Sequence, residues 1–113
     1  MKRRRVVWAE VASRDLDGIV SYIAIDSPKA ALDTLDRLEA RAKTLATMAA
    51  RGRVVPELAR LHIREYRELV VAPYRLVYRI TPVEVLVLAL FDGRRNLEDA
   101  FLDRLICPSE NEE

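Results

Sequence analysis

Arginine is the residue type on which any chemistry in this chain must turn. Arg67, Arg75 and Arg79 fall in β-rich runs, and Arg94 and Arg95 sit in the turn after the last of them. A guanidinium keeps its charge and offers a planar fork of donors that meets phosphate or carboxylate bidentately. Strand alternation across 74–80 puts Arg75, Val77 and Arg79 on one face and Tyr74, Leu76, Tyr78 and Ile80 on the other. The second face reads as the core side. Arg75 and Arg79 are therefore expected to project on the opposite face, with Arg94 and Arg95 near them at a strand end. Two uses are open to such a set. It can bind phosphates or a row of carboxylates. Alternatively, its members pair with Glu65, Glu68, Glu84 and Asp92 across strands, each pair contributing ~1 kcal/mol or less.

Other chemistry finds little support. The single histidine, His62, has no serine or cysteine nucleophile in a recognisable setting and reads as a surface or packing residue. No His/Cys/Asp spacing suggests a metal site, and three glycines supply no phosphate loop. No catalytic residue, metal or cofactor is assigned. The 19 Lys plus Arg nearly balance the 18 Asp plus Glu, yet lysine occurs only at Lys2, Lys29 and Lys43. An arginine-heavy surface suits an acidic partner or a nucleic acid, although a GC-rich genome gives the same bias. One cysteine, Cys107, makes no internal disulfide. The basic start (Lys2, Arg3, Arg4, Arg5) is not followed by the apolar stretch of a signal peptide, and no run approaches the ~20 apolar residues of a membrane span. A cytoplasmic protein is expected.

The elements that must hold these arginines follow from periodicity. Val6-Val7-Trp8 predicts a first strand. Ala12, Leu16, Ile19, Val20 and Ile23 then lie on one helical face, ended at Pro28. Ser27 can cap a second helix with Pro28 in its first turn, and Ala31, Leu35, Leu38, Ala42, Leu45 and Ala49 carry its stripe as far as Gly52. So short a break predicts an antiparallel helical hairpin. Pro56 interrupts the next stretch, where 57–61 can form one helical turn. Three strands follow, 66–71, 74–80 and 83–91, as an antiparallel meander. The third is apolar on both faces and should be the central, most buried strand. Asn96 can cap a short last helix with Leu97, Phe101 and Leu105 on one side. The reading is α+β: an N-terminal strand, a helical hairpin on a twisted antiparallel sheet (β-α-α-β-β-β), and a short C-terminal helix. One domain spans 1–106, and 107–113 is expected to be a disordered acidic tail.

The run "YRELVVAPYRLVYRI", the apolar strand after it and "DGRR" resemble the RelE/ParE toxin superfamily. "SPKAA" between the helices and "RVVPEL" before the sheet resemble its ParE branch. Order and spacing carry the likeness, from Val6 to Phe101. It implies a cognate antitoxin, ParD-like or similar, and contact with operator DNA only through the antitoxin complex. RelE-type toxins cut mRNA on the ribosome with Lys, Arg and Tyr groups. Two of their arginines correspond to Arg75 and Arg95, but their strand lysines fall on Tyr66 and Glu68 and their C-terminal tyrosine on Phe101. Phenylalanine moves no proton, and a glutamate repels RNA phosphate. The resemblance therefore implies a ParE-like toxin that inhibits DNA gyrase by binding. The alternatives are a ribosome-dependent mRNA endoribonuclease using Arg75 and Arg95, and an inactive interaction module. ParE chains often carry histidine before the last glycine, where Asp92 stands here. Arg67, Arg75, Arg79, Arg94, Arg95 and Phe101 are the candidate target- or antitoxin-binding residues. The groove between hairpin and sheet, or an edge left by the first or last strand, is the expected place for an antitoxin segment with acidic residues. Arg75→Glu or Arg95→Glu is expected to weaken toxicity more than folding.

Overall fold

The computed structural model describes residues 3–94 of the 113-residue chain. The elements run β1 (Arg5–Trp8), α1 (Glu10–Asp26), α2 (Pro28–Lys43), two 3-10 turns (Thr44–Ala46 and Ala49–Arg51), β2 (Arg53–Val54), α3 (Pro56–Ala59), β3 (Tyr66–Val71), β4 (Tyr74–Ile80) and β5 (Glu84–Asp92). The expected last helix, Arg95, Phe101 and the tail 107–113 lie outside the described residues.

Ser27 separates the two long helices and serves both. Its N–H donates to the Ile23 carbonyl at 3.0 Å, and its Oγ accepts from Ala30 N at 3.1 Å. Pro28 sits in the first turn of α2, where its missing N–H costs nothing. The apolar stripe predicts one helix to Gly52, but regular helix stops at Lys43. The Thr44 hydroxyl takes the Arg41 carbonyl at 2.6 Å, the kind of local competitor that ends a helix. Leu45 and Ala49 stay buried in the tighter turns that follow.

The five strands form one sheet in the order β1-β5-β4-β3-β2. The meander is antiparallel as expected. β1 pairs parallel to β5, with Val6 opposite Val85 and Trp8 opposite Val87, so the sheet as a whole is mixed. The hairpin and meander between them supply the long crossover a parallel pair requires. The apolar β5 is interior, flanked by β1 and β4, while β4 takes the middle of the sheet. β2, a two-residue strand on β3, has no counterpart in the sequence reading.

Pairing of β4 with β5 skips Leu88: Val77 faces Ala89 and Tyr78 faces Val87. This bulge re-phases the strand. Val85, Val87 and Leu90 all join the core under the hairpin, while Ala89 and Phe91 turn to the other face. The main core joins Ala12 and Leu16 of α1, Leu38 and Ala42 of α2, and Leu45 and Ala49 to the inward residues of β3, β4 and β5. A smaller cluster covers the far face, where Val55 and Leu58 pack on Val77, Ala89 and Phe91. That second layer decides the fate of the arginines.

Candidate functional site

β2, α3, β3 and β4 assemble a charged cluster on the face opposite the hairpin. Arg75 on β4 and Glu68 on β3 share that face, and α3 lowers Glu57 onto it from above. The Arg75 Nε donates to Glu68 Oε1 at 2.7 Å, while its Nη1 and Nη2 donate to the two oxygens of Glu57 at 3.0 and 2.9 Å. Arg53 on β2 donates its Nε to the other Glu68 oxygen at 2.6 Å. The result is a chain Arg53–Glu68–Arg75–Glu57 with alternating sign and no net charge.

Burial sets the energetics of this chain. The Glu68 side chain is fully covered and that of Arg75 only 11 % exposed. Two desolvated ions repay their cost only when geometry and additional hydrogen bonds satisfy them, and here every link is a charge-assisted hydrogen bond. The hydrogen bonds from Arg75 hold the Glu57 carboxyl below its ordinary value of 4.5, against the opposing effect of burial. Burial of Arg75 pulls its guanidinium down, but its bonds to Glu57 and Glu68 outweigh this and raise it.

The arginines singled out in the sequence do not converge. Arg67 lies on the hairpin side of β3 and donates Nη1 to the Gly52 carbonyl at 2.8 Å. Arg75 is consumed by its two carboxylates. Arg79 shares the Arg75 face by alternation but is exposed, about 13 Å further along the strand. Arg94 is exposed and clasps Asp92 with Nε at 2.8 Å, and this hydrogen bond raises its pKa. Arg95 and Phe101 lie outside the described residues. The expectation that Arg75 projects freely from a bare sheet is corrected: Val55 and Leu58 roof that face, and Glu57 comes with them. Of the cross-strand pairings open to these residues, Arg75 with Glu68 and Arg94 with Asp92 form.

Glu57 and Arg53 were not singled out from the sequence, although one signal pointed to a covered face. Val77 stands between Arg75 and Arg79 on the same side of β4, and an apolar residue there requires something over it. A neighbouring polar centre supports the hairpin side. The buried Tyr78 hydroxyl donates to the Ala49 carbonyl at 2.6 Å and accepts from Gly52 N at 3.0 Å. Burial pushes its pKa up. A Cβ on Gly52 would lie 2.5 Å from the Glu68 carbonyl oxygen and 2.6 Å from that hydroxyl, so this position has no room for a side chain. His62 is exposed, with φ of 67° in the turn after α3. It fills a left-handed position that histidine tolerates better than most residues.

No group of three or more His, Cys, Asp or Glu able to hold a metal occurs among the described residues, and no helix there is long and apolar enough to cross a membrane. A helical hairpin on one face of a mixed sheet, with its buried ions committed to one another, defines a small α+β protein of RelE/ParE build. The family described as ParE toxin of type II toxin-antitoxin system, parDE, matches residues 6–97. The curated relative Putative toxin Y4kP of Sinorhizobium fredii (strain NBRC 101917 / NGR234) is 39% identical over 89 residues, which cover 76% of this chain and 86% of that protein. A solved structure described as a chromosomal ParDE TA system from P. aeruginosa superposes with a TM-score of 0.65 at 22% identity, covering 80% of this chain and 96% of that one. The chain belongs to the ParE toxin family of type II toxin–antitoxin systems.

Proposed function

We propose that this ParE-family toxin blocks growth by binding DNA gyrase and that a cognate, ParD-like antitoxin neutralises it. Family membership supports a toxin with an antitoxin partner. The state of Arg75 supports a binding mechanism. An endoribonuclease of the RelE type would need that guanidinium to meet the scissile phosphate. Here three of its donor bonds go to two carboxylates, under a roof of Val55 and Leu58. Releasing it would strand the covered Glu68 charge, at about 3–5 kcal/mol. Tyr66 and Glu68, where the RelE lysines would be, leave that face without the cations such cleavage uses.

The test is a supercoiling and DNA-cleavage assay with purified toxin and gyrase. The expected result is loss of supercoiling activity with accumulation of cleaved DNA, reversed by antitoxin. Normal gyrase activity at every toxin concentration, in preparations whose expression arrests growth, would remove gyrase as the target. Message cut at the ribosome under the same conditions would replace the mechanism as well.

A further inference from the structure

We infer that the free edge of β1 is the docking surface for an extended, acidic segment of a partner protein, which joins the sheet as an additional strand. The inference rests on the toxin–antitoxin reading for the partner's identity, and on this molecule alone for the surface and its chemistry.

β1 closes one side of the sheet and is paired only on its inner side, with β5. In a parallel ladder, alternate residues turn their backbone groups to the partner strand. Arg5 N donates to Val83 O and Ala9 N to Val87 O, so Arg5, Val7 and Ala9 face inward. The intervening residues face out. Arg4 N meets the Ala46 carbonyl at 2.8 Å, and Val6 and Trp8 turn their N–H and C=O the same way, toward the open edge. Such an edge is a template for another strand unless charge, bulge or cover protects it. The bulge in this sheet lies at Leu88, on β5 and not on β1.

The surroundings select what can add. A groove of about 850 Å³ runs around the start of β1, lined by Arg3, Arg4, Arg5 and Lys43 with Val7 and Val83. Its lining holds four cations and no carboxylate. Glu84, just outside, engages Arg5 in an exposed ion pair at 3.3 Å. The whole chain carries a net charge of only +1, so this concentration is local. Val83 is 66% exposed on the groove wall and offers an apolar seat between the charges. A strand with alternating apolar and acidic residues satisfies all three features at once: backbone hydrogen bonds to Val6 and Trp8, apolar contact with Val83, and carboxylates against Arg3 and Lys43. A nucleic acid would use the cations but leave the edge amides and Val83 unused.

The experiment follows backbone amide exchange in the full chain, with a short synthetic peptide of alternating valine and glutamate as probe. Exchange at Val6 and Trp8 should slow on adding peptide, while amides on the outer face of α1 stay unchanged. The exposed double substitution Arg3→Glu with Lys43→Glu should weaken peptide binding by about tenfold or more without lowering the melting temperature. The same peptide N-methylated on alternate backbone nitrogens should give no protection. Absence of protection at both amides would overturn the inference. So would unchanged affinity in the double variant, or equal competition by a single-stranded oligonucleotide of matched charge. Protection that grows with protein concentration in the absence of peptide would assign the edge to a second copy of this chain instead. None of these readouts uses gyrase or growth arrest. A toxin that poisons gyrase yet shows no protection loses only the edge inference, and the reverse result loses only the gyrase target.

Discussion

Arg75 is the residue whose meaning changes most between sequence and structure. Alternation places it on the correct face of β4, but its donors end on Glu57 and Glu68. Arg75→Glu is therefore expected to damage folding before it touches toxicity, the opposite of what a bare arginine face implies. Arg75→Met should cost about 3–5 kcal/mol in urea denaturation, because the covered Glu68 loses one of its two cations. Adding Glu68→Gln should recover part of that loss by removing the stranded charge, and additive losses would count against the pairing. The same chain predicts a pH dependence. Glu57 is held below 4.5, so the native state favours its ionised form. Its contribution is then fully present above pH 4.5 and fades as pH falls through the lower folded value. Melting temperature should drop on acidification through that window, and Glu57→Gln should make the drop shallower. Identical slopes for the two proteins would mean that other carboxylates carry it.

Helices and strands were largely legible because their periods are strong. The two stripes, Ser27-Pro28 between them and the three β-rich runs mark elements that form close to where they were read; β3 and β4 match residue for residue. What escaped notice depends on contacts distant in sequence. Nothing in the apolar run of β5 marks Leu88 as the extra residue, since every neighbour is as apolar as it is. Two residues at Arg53–Val54 are too few for a pattern, and they become a strand only because β3 is there to pair with. The roof over Arg75 depends on α3, a single turn whose Val55 and Leu58 meet Val77 and Phe91 from more than a strand away in sequence. The early end of α2 has a local cause in Thr44, but the Tyr78 anchor beyond it does not. Tyr78→Phe should test that anchor. It leaves the buried Gly52 N–H and the Ala49 carbonyl without their common partner and should cost about 1–3 kcal/mol in chemical denaturation. A change under about 0.5 kcal/mol would mean that water or a shifted backbone replaces the hydroxyl.

The molecule divides its arginines between cohesion and contact. Arg53, Arg67 and Arg75 tie β2, the Gly52 turn and α3 to the meander, and they do so on both faces of the sheet. What remains for a partner is the outer shell: Arg3 and Arg5 on the β1 side, Arg79 on the strand at the centre of the sheet, and Arg94 at its end. A toxin that works by binding must recognise its target through such exposed groups, because its buried ions cannot move without unfolding it. Arg79 separates the two roles cleanly. It is exposed, so Arg79→Glu should shift stability by no more than about 0.5 kcal/mol. If the β4 face meets the target, the same substitution should relieve growth arrest and weaken gyrase inhibition in parallel, with antitoxin still able to bind. Arg75→Glu, by contrast, should relieve growth arrest only as far as it depletes folded protein. Comparing soluble yield, melting temperature and growth for the two variants reads this directly. Full toxicity in Arg79→Glu would move the target surface off this face and toward the β1 side or the Arg94 end.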